Sequence, residues 1–187
     1  MDIYLIRHTK TAAIAGLCYG QSDMPLADSF TDELPLLQQK LPDLVEDSLV
    51  FSSPLTRCLR LSETLSDTVI TDERLLELNF GAWENQRFDE IEPKLLRHWT
   101  DHFVGTAPPD GESFDDLYQR TGSFWQDLVQ HNAGQVLVVT HAGVIRALLA
   151  RVLSLPPANA FQFRINLGSV HKLQHIAGYT YIEYLNK

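Results

Sequence analysis

Arg7-His8, Arg57 and His141 are the residues of this 187-residue chain whose types and placement could do chemistry. Arg7-His8 follows the apolar run Ile3-Tyr4-Leu5-Ile6. His141 follows Val136-Leu137-Val138-Val139-Thr140, and Arg57 comes shortly after Leu49-Val50-Phe51. One arginine beside one histidine is ordinary loop composition. Two histidines and two arginines gathered at the ends of such runs would form a compact cationic pocket for an anion. Thr140-His141-Ala142-Gly143 also hands directly into a helical pattern, whose first amides and dipole favour negative charge.

The elements that must position these residues follow from the same stretches. Short apolar runs that stop abruptly at polar residues read as buried strands. After Ser52-Ser53-Pro54, the residues Leu55, Cys58, Leu59, Ser62 and Leu65 fit one helix face, with Pro54 suited to the helix start. Val144, Leu148 and Val152 have the same spacing after Gly143. Repeated strand-then-helix units predict an α/β fold, a mainly parallel sheet flanked by helices, with ligands beyond the carboxyl ends of the strands.

A further strand is expected at Thr68 to Thr71. Two helical patterns follow, one through Phe88, Ile91, Leu95 and Trp99. The other has Ser113 and Asp116 as a capping box ahead of Leu117, Thr121, Phe124 and Leu128. Phe161 to Ile165 alternates as a strand would, and Val170 to Ile176 and Tyr179 to Leu185 flank the turn Ala177-Gly178, so a closing strand and C-terminal hairpin are expected. The chain reads as one domain, 1–187, with 72–135 as a cap-bearing insertion.

Charge narrows the partners. Fifteen Lys and Arg against 24 Asp and Glu give a formal net charge of −9, so no global field would draw in nucleic acid or an anionic bilayer. An anionic ligand would need a local cationic pocket. Cys18 and Cys58 are too few for a disulfide framework in a chain of this length, and the start lacks a secretory signal pattern, so a reduced, cytoplasmic protein is expected. No uninterrupted apolar run exceeds four residues, far short of a membrane span.

Four motifs in order, Arg7-His8-Thr9-Lys10-Thr11, Ser53-Pro54-Leu55-Thr56-Arg57, Glu77-Leu78-Asn79-Phe80-Gly81 and Thr140-His141-Ala142-Gly143, resemble those of the histidine phosphatase superfamily, the phosphoglycerate-mutase-like proteins. The resemblance implies that His8 is the nucleophile and becomes phosphohistidine, which suits a neutral imidazole near pH 7. It implies that Arg7 and Arg57 grip the phosphate with planar guanidinium forks, and that His141 donates to phosphoryl oxygens as charge spreads. Glu77 would protonate the leaving oxygen and later deprotonate water, since a carboxyl pressed beside phosphate under Leu78, Phe80 and Trp83 holds its proton more readily. Glu84 and Glu112 are alternative acids. Gly20, Gln21 and Ala142 would contact substrate. No metal and no cofactor are implied.

Within the superfamily, Cys18-Tyr19-Gly20-Gln21-Ser22-Asp23, Phe80-Gly81-Ala82-Trp83-Glu84, Asp110-Gly111-Glu112-Ser113 and Gly168-Ser169-Val170 look most like α-ribazole phosphatases of cobalamin assembly. The implied activity is metal-independent hydrolysis of a small phosphorylated substrate, with α-ribazole 5′-phosphate leading. Alternatives are a broad-specificity or sugar-bisphosphate phosphatase, a phosphoglycerate mutase and a non-catalytic phospho-ligand binder. The sequence departs from the superfamily pattern at Thr9-Lys10, where Gly-Glu is common, at Ile14, where Asn is common, and at Ser29-Phe30-Thr31, where a helical Gly is missing.

Remaining features read as packing or surface. His98 and His102 are four apart on a helical pattern but lack a third ligand for zinc. His171 and His175 share a strand face and are expected at the surface. Cys18, Cys58, Trp83, Trp99 and Trp125 are expected to pack.

Overall fold

A computed structural model describes residues 1–187. Six strands form one sheet in the order β3-β2-β4-β1-β5-β6. Strands β1 (Asp2–Arg7), β2 (Leu49–Ser52), β3 (Ile70–Thr71) and β4 (Gln135–Thr140) run parallel, and the hairpin of β5 (Val170–Ile176) and β6 (Tyr179–Tyr184) pairs antiparallel to β1. The predicted mainly parallel α/β architecture is therefore present. Helices α1 (Phe30–Gln38), α2 (Thr56–Ser62), α3 (Pro93–His102), α4 (Phe114–Leu128) and α5 (Ala142–Val152) complete it.

Strand alternation divides the core between the two sheet faces. Ile3, Leu5, Val136 and Val138 pack with Leu117, Phe124, Leu128 and Leu148 of α4 and α5. Tyr4, Ile6, Leu137 and Val139 pack on the other face with Leu37 of α1 and Cys58 and Leu61 of α2. A small third cluster of Cys18, Trp83 and Ile91, joined by Phe80, Phe88 and Trp99, lies beneath α3. All three tryptophans pack there or in the main core. No helix is long and apolar enough to cross a membrane.

Several boundaries differ from expectation. Helix α2 starts at Thr56, because the Asp23 carboxylate accepts from Thr56 N and Thr56 Oγ1; Pro54 stays in the preceding turn. Helix α3 begins only at Pro93, capped by the Glu92 carboxylate, so Phe88 and Ile91 precede it in a turn that fills the small aromatic cluster. The third strand shrinks to Ile70–Thr71. Phe161 to Ile165 is not a strand. A 3-10 turn, Pro157–Gln162, occupies that region, and the hairpin takes the place beside β1. The Ser113 and Asp116 capping box forms as expected. His171 is fully buried rather than at the surface: its Nδ1 accepts from Asn186 N, so its Nε2–H donates to Ser169 Oγ.

Candidate active site

Strand register assembles the site. Arg7 pairs with Thr140 and Ser52 with Val139, so β1, β4 and β2 end in one row. The ladder continues one step further through His8 N to Thr140 O, 3.1 Å, and Ser53 N to Val139 O, 3.0 Å. His8, His141 and Ser53 consequently stand side by side at the carboxyl edge. Arg57 enters from the first turn of α2.

The two histidines are buried, with ring centroids 5.2 Å apart and rings edge-on. His8 Nδ1 lies 2.7 Å from Thr9 O. A carbonyl only accepts, so Nδ1 carries the proton and Nε2 keeps a free lone pair. Burial, and then the Arg57 and Arg7 charges, push the His8 pKa down to about 3, although the Thr9 bond opposes this. The imidazole is therefore neutral at physiological pH. Burial, with the His8 and arginine charges, also drives His141 well below its ordinary value. Its Nδ1 accepts from Arg57 Nε at 3.3 Å and its Nε2 faces Ser53 Oγ at 2.8 Å. Both ring nitrogens thus have protein partners, and His141 stands behind the cleft wall. Since Nδ1 accepts from the Arg57 N–H, Nε2 carries the proton and donates to Ser53 Oγ.

Arg57, almost fully buried, donates from Nη1 to Ser22 O and from Nη2 to Gly20 O. Arg7 Nη1 donates to Ile165 O at 2.7 Å, while its buried Nε–H has no protein partner. Neither guanidinium is within salt-bridge range of a carboxylate. Arg7, His8, Arg57, Glu77, Leu17, Tyr19, Phe80 and Phe88 line a cleft of about 220 Å³. Two guanidinium groups beside a neutral imidazole, with the Glu77 carboxyl on the same wall, form a locally cationic cleft in a chain of net charge −9, an arrangement that can hold an anion.

The three candidate acids separate by geometry. Glu77 lines the cleft; its carboxylate accepts from Leu78 N at 3.0 Å and from Gly143 N, in the first turn of α5, at 3.1 Å. Glu112 is engaged by Arg120 at 2.6 Å, and Glu84 accepts from the backbone of residues 20–22. Gly20, Gln21 and Ala142 do not line the cleft. The Gly20 carbonyl holds Arg57, the Gln21 side chain donates to Glu77 O from behind, and Ala142 is buried in the first turn of α5. Of the unusual loop residues, Thr9 is buried, Lys10 sits against Glu33 and Ile14 is exposed; none lines the cleft. Tyr19 and Ser53 join the site although only their motifs, not their contacts, were visible in sequence. Cys58, with Sγ 3.5 Å from His141 Nε2, packs behind the imidazole. His98 and His102 stack on each other, and His102 Nδ1 faces the His98 carbonyl at 3.0 Å.

Residues 3–187 match the histidine phosphatase superfamily (branch 1), and the chain belongs to that family. It is 29% identical to a Yersinia pestis protein named "Probable phosphoglycerate mutase GpmB", over 94% of this chain and 85% of that one. The crystal structure of the α-ribazole phosphatase from Shigella flexneri superposes with a TM-score of 0.90 at 28% identity, covering 100% of this chain and 96% of that one. A mycobacterial glucosyl-3-phosphoglycerate phosphatase gives 0.86 at 25% identity, covering 99% and 98%.

Proposed function

We propose that this protein is a metal-independent phosphatase that hydrolyses a small phosphate monoester through phosphorylated His8, with α-ribazole 5′-phosphate as the leading substrate. The observation that carries the chemistry is the His8 Nδ1–H held by the Thr9 carbonyl, which leaves Nε2 with a free lone pair in the cleft that Arg7 and Arg57 also line. In the first step Nε2 forms a bond to phosphorus as the ester P–O bond breaks, and the leaving oxygen takes the Glu77 proton. In the second, Glu77 takes a proton from water, the water oxygen bonds to phosphorus, and the P–N electron pair returns to Nε2. The free N–H groups of Arg7 and Arg57 neutralise charge on the phosphoryl oxygens. His141 backs His8 and holds Arg57, accepting the Arg57 Nε–H at Nδ1 and donating its Nε2–H to Ser53 Oγ.

The α-ribazole assignment is supported by the likeness to the Shigella phosphatase and by the apolar and aromatic cleft walls, Leu17, Tyr19, Phe80 and Phe88, which suit a nucleoside with an apolar planar base. The 72–135 segment contributes Phe80 and Phe88 to these walls, which supports reading it as the cap. Phosphate release in chelator from α-ribazole 5′-phosphate, 3-phosphoglycerate, fructose 2,6-bisphosphate and an aryl phosphate tests the reading, with His8→Ala as control. Preference for the first, lost in the variant, is expected; weak His8-dependent turnover of all four discards that substrate. The Yersinia relative's name favours a second reading, phosphoglycerate mutase, and net isomerisation of 3-phosphoglycerate would select it.

A further inference from the structure

The Glu84 carboxylate faces away from the cleft and into backbone. Its Oε1 accepts from Gly20 N at 3.0 Å, Gln21 N at 2.9 Å and Phe80 N at 3.1 Å, while Oε2 accepts from Ser22 N at 2.9 Å and shares Gly20 N. Burial raises its pKa, but the bonds from Ser22 and from the Gln21, Gly20 and Ser22 amides outweigh that, and it stays below the ordinary carboxylate range. Four amides converging on one anion fix the path of the 20–22 loop.

The carbonyls of the same residues hold the cation. Gly20 O and Ser22 O accept from the two terminal nitrogens of Arg57, so residues 20 and 22 each give their N–H to Glu84 and their C=O to Arg57. The loop is seated tightly: a Cβ at Gly20 would lie 1.8 Å from Leu78 O. It is strapped at both ends. Cys18 exchanges backbone bonds with Asn85 and Gln86, and Asp23 caps α2 one residue before Arg57.

We propose that Glu84 is a positioning residue that sets the Arg57 guanidinium by holding the loop whose carbonyls orient it. The Phe80–Glu84 turn, which contributes Phe80 to the cleft wall, is thereby tied mechanically to the phosphate grip. The inference rests on the reading of Arg57 as a phosphate ligand. Glutamine at 84 keeps the shape but turns an NH₂ group toward amide donors, so the loop loses acceptors without losing volume.

The test measures inorganic phosphate affinity, kcat and KM for Glu84→Gln, for Arg57→Ala and for the double variant, with thermal midpoints. We expect Glu84→Gln to fold, to bind phosphate about tenfold more weakly, and to lose less than twofold further when Arg57 is already alanine. Unchanged phosphate affinity, or a full Glu84→Gln effect on the Arg57→Ala background, would overturn the proposal. Amide exchange on the Arg57→Ala protein gives a second arm that needs no change at Glu84. Protection of the 20–22 amides should persist, because Glu84 holds them; their exposure would mean that Arg57 holds the loop instead. Absence of any His8-dependent turnover in the unaltered protein would instead sink the phosphatase reading and leave the loop measurements standing.

Discussion

Two donor geometries, those of Arg57 and His8, govern the chemistry of the cleft. Arg57 directs Nε–H to His141 and one N–H of each terminal nitrogen to a backbone carbonyl, leaving its remaining N–H groups for an anion. Lysine has one compact ammonium and cannot copy this arrangement. Arg57→Lys should therefore lower kcat/KM at least about tenfold, the equivalent of one lost charge-assisted bond of about 1.5–3 kcal/mol; unchanged efficiency would remove Arg57 from the site. His8 gives a spectroscopic expectation. With its pKa near 3, its ring resonances should not titrate between pH 5 and 8 in the free protein, and a midpoint near 6.5 would contradict the buried, neutral nucleophile. The identities of Arg7, His8, Arg57, Glu77 and His141 were legible in sequence through motif order. What each nitrogen bonds to was not, because those contacts link residues far apart in the chain, as with Arg57 and Gly20.

Among the elements, strand ends place the histidines, and the first turns of α2 and α5 bring in Arg57 and the Gly143 amide. Gly143 in the first turn of α5 gives its N–H to Glu77, and a Cβ there would lie 2.2 Å from Glu77 Oε1. The most obstructed atom is the end of a flexible side chain and the buried Leu117 Cδ2 lies at 3.3 Å, so Gly143→Ala should displace the acid at a modest cost in stability. A fall in kcat of at least about tenfold is expected, since small misplacements of a reacting group are costly. Full activity would place the acid elsewhere. On α4, Ser113→Ala removes the hydroxyl that caps Asp116 N and should cost about 1 kcal/mol, or about 2–4 °C in thermal midpoint. Strands β1, β2 and β4 were legible because both faces are covered and their apolar runs end sharply. The start of α3 and the alternation at Phe161 to Ile165 mislead in sequence for a shared reason. Apolar spacing in a turn that fills a cluster, as Phe88 and Ile91 do, mimics the spacing of a helix, and alternation mimics a strand where the hairpin already occupies the sheet position.

For the whole molecule, three buried histidines couple folding to pH. His8 and His171 have pKa values near 3 and 4, and His141 is also lowered, so the folded protein refuses protons that the unfolded chain binds below about 6.5. Stability is therefore greatest above that pH and declines as pH falls from about 6.5 toward 4. His171 lies outside the cleft, so His171→Gln should flatten this decline in denaturation midpoints without abolishing turnover; an unaltered pH slope would remove His171 from the linkage. Its burial was not visible in sequence, because alternation does not tell which strand face is covered.

The central claim is a covalent phosphoryl bond to His8 Nε2. Rapid mixing of the enzyme with excess α-ribazole 5′-phosphate or an aryl phosphate, an alkaline quench that spares the acid-labile P–N bond, and peptide mass analysis test it directly. A phosphate adduct on His8 is expected, formed within the first turnover and absent in His8→Ala. Turnover with no adduct at His8, or undiminished turnover by His8→Ala, would contradict it.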